Sequence, residues 1–411
     1  MKQRVAISQV QAGDVDGAVR QAIGLAGGLE ELIKSDSRVV VKPNLCQPKP
    51  SGTGMVTDAR VTEAVTRMVL EMQPASVVIA EGSIASYDGE SVSTDECFEV
   101  SGTADVARRL GVETRYLNSD AVAEVSVPQP LVMDRVKVAR TMLDCDVIVS
   151  VPVLKSHIRA NATISLKNMW GVQPGAAKRE GHRVGLDLAI VDLLSVLRPS
   201  YAVIDAILAL EGLWRYPQDA RQMDLVIAGR DPLAADIVGC SLMGMPAARV
   251  RHLDYLTRQE GAVSGLEQIE VLGEPLEKHR RQFKTAFDAF LEGFPGVRVL
   301  QGGSFCSGCV HELVTALRHI KNAGYDSEME GLRIVVGNPS QPPAAAKTAV
   351  LGTCSEGLAG LGAYAAGCAP TEDATIQALC EACGADPESV KAGRDETRRR
   401  WWESTAALLL R

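Results

Sequence analysis

The stretch LKSHIRANATISLKNMWG, residues 154–171, decides how the rest of this chain is read. It follows the apolar run VIVSVPV, residues 147–153, which predicts a buried strand, because a strand covered on both faces need not alternate. Pro152 marks the end of that strand, and the chain is then expected to leave the sheet. Within fourteen residues it presents Lys155, His157, Arg159, Asn161, Lys167 and Asn168. Ligands of open α/β sheets sit at the carboxyl ends of strands, so this burst of donors predicts an anion site. A solvated basic loop is the alternative. The apolar neighbours Ile158, Ile164, Leu166, Met169 and Trp170 favour side chains held against a core.

Working outward, strand-like runs alternate with helical ones over the first 250 residues. Residues 39–41 form a strand ending at Lys42, Pro43 and Asn44, and Thr57 or Asp58 caps the helix that follows. Residues 77–80 end at Glu81, and residues 201–204 end at Asp205 with Glu211 beyond. Residues 224–228 lead to Asp231, which caps a helix opened by Pro232. Residues 181–184, around His182, read as a loop, and 186–197 as a helix carrying Asp187 and Asp192. The alternation predicts an α/β fold, a mostly parallel, doubly wound sheet with a smaller C-terminal α/β cysteine-rich domain. Lys42, Asn44, Glu81, Lys155, His157, Asp205 and Asp231 then gather along one edge. The expected division is an anion-binding domain over 1–250, a charged helical connector over 251–295 and the cysteine-rich domain over 296–411.

A net charge of -8 and 4% aromatic residues argue against nucleic acid, which needs a basic face or stacking platforms. The N-terminus MKQRVAISQVQAGD lacks the apolar core of a signal peptide, and no apolar run reaches the length of a membrane span, so a cytoplasmic protein without membrane contact is expected. The tail RRRWWESTAALLLR predicts an amphipathic helix that docks on its own domain or on a second copy of the chain.

Of 10 cysteines, six crowd into the last quarter: Cys306, Cys309, Cys354, Cys368, Cys380 and Cys383. In a reducing compartment such clustering points to a soft metal centre rather than to disulfides. Cys306 and Cys309 in CSGC, Cys354 in LGTCSEG and Cys368 in AAGCAP suit an iron-sulfur cube, because small neighbours let the backbone wrap a cluster. Structural zinc on the same residues and ordinary buried cysteines are the alternatives. Cys380 and Cys383 fall at the end of a predicted helix. Motifs for dinucleotide, P-loop, serine-hydrolase and zincin sites are absent.

The cysteine pattern resembles the cluster-binding small subunit of nickel-iron hydrogenases and related complex I subunits, with Ala369 where that family has proline. VKPN at 41–44, TDARVTEAV at 57–65, LKSH at 154–157, SLKNMWG at 165–171, VIDAILALEG at 203–212 and DPLAADIVGCSLMG at 231–244 together resemble the domain-of-unknown-function 362 family. That resemblance implies an α/β domain tied to iron-sulfur chemistry. The expectation is an iron-sulfur enzyme, with a 4Fe-4S cluster on Cys306, Cys309, Cys354 and Cys368, reducing a small carboxylate or phosphate under anaerobic conditions. Lys42, Asn44 and Asn168 would bind the substrate. His157, Lys155 and Lys167 would handle protons, and Asp205 or Glu211 would orient them. A non-redox lyase, and an electron carrier with a redox partner protein, are the competing readings.

Overall fold

The computed structural model describes residues 2–84, 86–87, 90–175, 177–259, 261–340, 342 and 346–409. The chain forms two units: Met1–His157 with Ala162–Lys284, and Ile158–Asn161 with Thr285–Arg411.

In the first unit the chain runs β1 (Gln3–Gln9), α1 (Val15–Leu25), β2 (Arg38–Pro43), α2 (Ala59–Glu71), β3 (Ser76–Glu81), α3 (Thr94–Val100), α4 (Thr103–Leu110) and β4 (Glu113–Tyr116). An antiparallel ribbon of β5 (Val122–Ser126) and β6 (Arg135–Ala139) follows, as the alternating pattern of those segments predicts. Then come β7 (Val147–Val151), β8 (Val153–His157), α5 (Ser165–Asn168), α6 (Ala177–Val184), α7 (Leu186–Val196), β9 (Tyr201–Leu210), β10 (Ala220–Gly229), α8 (Pro232–Leu242), α9 (Arg251–Thr257) and β11 (Ile269–Gly273). The main sheet has the order β11-β1-β10-β9-β7-β2-β3-β4, with β8 paired to β9. Only β10 runs against its neighbours along this path, antiparallel to β1 and to β9.

Valines build the centre. Val39, Val41, Val147, Val149, Val151 and Val203 join one cluster with α1 and α2, and the alternate residues Val40, Ile148, Ala202 and Ile204 are buried as well. Both faces are covered, which is why the apolar runs do not alternate. Asp58 caps α2 through the Arg60 amide, and Asp231 caps α8 through the Leu233 amide, with Pro232 in the first turn.

Four local expectations change. Pro152 interrupts the strand without ending the sheet: β8 continues it by pairing with β9, so Lys155 lies on a strand, in register with Leu210. Asp205 sits inside β9 rather than after it, because that strand runs on to Leu210. Asp231 lies at the opposite edge from Lys42, because β10 is antiparallel and ends where β9 begins. Residues 177–184 are a helix, not a loop. The stretch read as a helical connector also differs: residues up to Lys284 belong to the first unit, and β11 adds a strand beside β1.

The second unit contains α10 (Ala286–Leu291), β12 (Arg298–Gln301), α11 (Ser307–Asn322), β13 (Arg333–Val336), β14 (Thr348–Leu351), β15 (Ala363–Ala365), α12 (Glu372–Cys383) and α13 (Pro387–Leu409). The sheet β12-β13-β14-β15 is parallel throughout. Phe287, Phe290, Phe305, Leu313, Leu317, Ile334 and Leu379 fill its core. The tail is helical to Leu409, and the face it presents from residue 401 onward lies outside the described residues. Among the described residues no helix is long and apolar enough to cross a membrane.

Candidate functional site

At the carboxyl edge of the first sheet, β2 and β3 end side by side, and their last side chains meet. Lys42 Nζ lies 2.9 and 2.8 Å from the two carboxylate oxygens of Glu81, and both residues are buried. Glu81 also accepts the amides of Gly82 at 2.7 Å and Leu45 at 3.3 Å. Burial pulls the Lys42 ammonium below its ordinary pKa, and the Glu81 charge opposes that. Asn168 closes the edge: its amide nitrogen donates to Lys42 O and Ser150 Oγ, each at 3.1 Å, and its oxygen accepts from Asn44 at 3.2 Å. Thr57 ties in the loop before α2, donating to Val151 O at 2.7 Å and accepting from the Asn44 amide at 2.8 Å. Backbone must pass very close here. A Cβ at Gly171 would stand 2.2 Å from Glu81 Oε1 and 2.8 Å from Lys42 Nζ.

Helix α5, four residues long, sets Lys167 and Asn168 at this edge. A helix so short is not self-supporting. Asp236, fully buried on α8, holds its start by accepting the amides of Ser165 and Leu166, each at 2.9 Å. Burial pushes the Asp236 carboxyl up to about 8, against the two amides.

Lys167 is half-buried, and among the described residues its ammonium makes no hydrogen bond or ion pair. Its pKa is pulled down to about 8, first by desolvation and then by the positive charge of Lys155, with Lys42 adding to the effect. The thiol of Cys46 and the carboxylate of Asp187 pull the other way. Lys155 itself is committed. It donates to Met55 O at 2.7 Å, lies 3.5 Å from Cys46 Sγ and stands 4.6 Å over the Trp214 ring. The His157 ring approaches the same indole, centroid to centroid at 5.8 Å. Buried polar atoms without a partner among the described residues include Asn44 Oδ1, Gln47 Oε1 and both ends of the Gln173 amide. Such atoms in a native fold call for an explanation, and a polar ligand is one.

The two carboxylates expected to orient protons are engaged elsewhere. Asp205 accepts the amides of Asp58 at 2.7 Å and Ile207 at 3.0 Å beside a cavity of about 150 Å³, and burial pushes it up to about 7. Glu211 pairs with Arg221 and accepts the Lys284 amide at 3.0 Å. A larger cleft, about 770 Å³, opens around the amino ends of β2, β3 and β4. Its Arg38, Arg115 and Arg140 pair with Asp146, Glu113 and Asp144, which leaves little charge for a ligand.

Three features escaped sequence reasoning. Lys178 on α6 donates to Gly82 O at 2.8 Å, Ser83 O at 2.6 Å and Asn118 Oδ1 at 2.8 Å, and burial pulls it down to about 7. Nothing in the polar run KREGH distinguishes it. His252 and Asp187 form a buried pair, Nδ1 to Oδ1 at 2.6 Å. Asp236 carried a readable signal, as the one charge within the apolar helix PLAADIVGCSL.

In the second unit all four expected cysteines follow carboxyl ends of parallel strands. Cys306 and Cys309 come after β12, Cys354 after β14 and Cys368 after β15. The loops are laced together: the Gly352 amide donates to Ala365 O at 2.9 Å and the Thr353 amide to Gly367 O at 3.0 Å. Gly352, at φ +88°, stands between two thiols, and a Cβ there would lie 3.3 Å from Cys309 Sγ and 3.5 Å from Cys354 Sγ. No two of the ten cysteines are joined in a disulfide. Among the described residues no group of three or more His, Cys, Asp and Glu side chains stands close enough to hold a metal ion. Cysteine thiolates are the donors that an iron-sulfur cluster takes. Cys380 and Cys383 are buried on α12, and burial raises both, Cys380 to about 12, so neither offers a ready thiolate.

Comparison with known proteins finds partial likenesses. A thylakoid-associated protein of Synechocystis sp., sll1697, is 24% identical over 246 residues, 58% of this chain and 73% of that protein. Among solved structures, the lactate racemase apoprotein of Thermoanaerobacterium thermosaccharolyticum aligns at TM-score 0.42 and 10% identity, over 59% of this chain and 57% of that one. A Thermotoga maritima protein aligns at TM-score 0.31 and 15% identity, over 56% and 57%. The chain thus spans little more than half the length of either solved protein. Lys42, Glu81, Lys155, Lys167 and Asp236 all lie within residues 39–241, the stretch that matches the family described as domain of unknown function, DUF362.

Proposed function

We propose that the first unit binds and acts on a small carboxylate- or phosphate-bearing anion at Lys167, and that Cys306, Cys309, Cys354 and Cys368 of the second unit hold an iron-sulfur cluster. The chain is then an iron-sulfur enzyme, and reduction of the anion is the reaction class we assign to it. One observation carries the first half: Lys167 is half-buried at a strand-end edge without a partner among the described residues, and is held near pKa 8. A group at that pKa both neutralises an anion and exchanges a proton at physiological pH. Asn44 and Asn168 are placed to orient the ligand. Lys42 and Lys155, already bonded, supply field rather than contact. A bound cluster supplies single electrons. What this chain's own residues do is present thiolates and leave room for them at Gly352. A reducing, cytoplasmic compartment, where thiols stay reduced, is the setting we assign to it.

Titration calorimetry with inorganic phosphate and with oxalate tests the first half. Lys167→Met should weaken binding about tenfold or more, the worth of one charge-assisted hydrogen bond. Unchanged affinity rejects the assignment. Iron and sulfide analysis after anaerobic reconstitution tests the second half, and zinc without iron or sulfide rejects it.

A further inference from the structure

We infer that Lys167 is a nucleophilic amine that forms an imine with a small carbonyl-bearing carboxylate, a 2-oxo acid. This rests on the anion-site reading above and names the substrate class that site takes. An imine-forming lysine must be uncharged for an appreciable time, unencumbered by hydrogen bonds, and carried on a fixed piece of backbone. Lys167 meets each condition. Its amine has no partner among the described residues, whereas Lys42, Lys155 and Lys178 are each bonded to acceptors. It rises from α5, whose start is fastened by Asp236, so its root is fixed although its tip is free. Desolvation and the nearby ammonium of Lys155 disfavour its protonated form, the arrangement that activates a lysine in water. The same positive field draws a carboxylate, which brings the adjacent carbonyl carbon to the amine.

The step balances without an oxidant. The Nζ lone pair adds to the carbonyl carbon, the C=O π pair moves to oxygen, and a proton passes from nitrogen to oxygen to give the carbinolamine. The carbinolamine oxygen then takes a second proton from solvent and leaves as water while the nitrogen lone pair forms the C=N bond, and the nitrogen keeps its remaining proton in the iminium.

Pyruvate is the probe. The full-length protein is incubated with pyruvate, reduced with borohydride and digested, and its lysines are surveyed by mass spectrometry. In parallel, protection of each lysine from acetic anhydride by pyruvate and by phosphate is measured. The expected result is a saturable adduct at Lys167, about tenfold above any surface lysine, as an activated amine requires. It should be lost in Lys167→Arg, which keeps the charge and remains protonated. Protection of Lys167 without an adduct overturns the imine and leaves the anion site standing. Neither protection nor adduct overturns both. An adduct spread evenly over surface lysines overturns the imine as well.

Discussion

Lys42 Nζ and Glu81 Oε2 lie 2.8 Å apart, with side-chain exposures of 0% and 2%, so the pair has exchanged water for each other and for the ends of two strands. Removing one partner strands the other charge. Lys42→Met or Glu81→Leu alone should cost about 3–5 kcal/mol. The double variant should cost less than the sum, because no lone charge remains. Urea unfolding of the three variants checks this, and additive losses would mean the residues act independently.

Lys167 should show itself by its pH profile. Its acetylation rate should rise through about 8, while ordinary lysines rise near 10.4. Lys155→Met removes the largest repulsive charge on Lys167, so the midpoint should move up. The linkage has a definite sign. Between about 8 and 10.4 the folded protein binds fewer protons at Lys167 than the unfolded chain, so stability from this group grows as pH rises. Lys167→Met should flatten that part of the stability curve.

Asp236 bears on the same residue from behind. Asp236→Ala leaves two buried amides without an acceptor, at about 1–3 kcal/mol each, and releases the start of α5. The Lys167 midpoint should then drift toward that of an exposed lysine. Asp236→Asn keeps one acceptor and should lie between. A destabilised Asp236→Ala protein whose Lys167 profile is unmoved would sever the two.

Gly352 tests the thiols without touching one. Gly352→Ala places a methyl 3.3 and 3.5 Å from Cys309 and Cys354 sulfurs and forces alanine to φ +88°. Iron retained after reconstitution should fall. Gly384, also at φ +88° but with nothing within 4 Å of its would-be Cβ, supplies the control. Gly384→Ala should pay about 1–3 kcal/mol of the same backbone strain with its iron intact.

The parts of the site that could be read in advance are those where one residue announces itself. VVVKP and VIVSVPV declare strands by composition, and Lys42 within the first of them and Asn44 just past it both hydrogen-bond to Asn168. Asp205 and Asp231 were misplaced because strand direction and strand length are tertiary facts. Whether β10 runs up or down is settled by what it pairs with, and β9 extends because β8 and β10 both bond to it. Lys178 and His252 were hidden for a similar reason. Each is buried by partners far away in sequence, Gly82, Ser83 and Asn118 for one and Asp187 for the other. That Cys306, Cys309, Cys354 and Cys368 each follow the carboxyl end of a parallel strand could not be read from their spacing, because strand direction is set by pairing.

The place of β1 has a bearing on how the first unit is made. Strand β1, which precedes the other strands of this unit in chain order, lies between β10 and β11, registered with residues 225–229 on one side and 269–273 on the other. For more than two hundred residues of synthesis it has no neighbours to bond, and its apolar sequence stays available to any chaperone or stray edge that meets it. The nascent chain must therefore be sheltered until nearly the whole unit has emerged, and a truncation before residue 225 would leave β1 with neither neighbour.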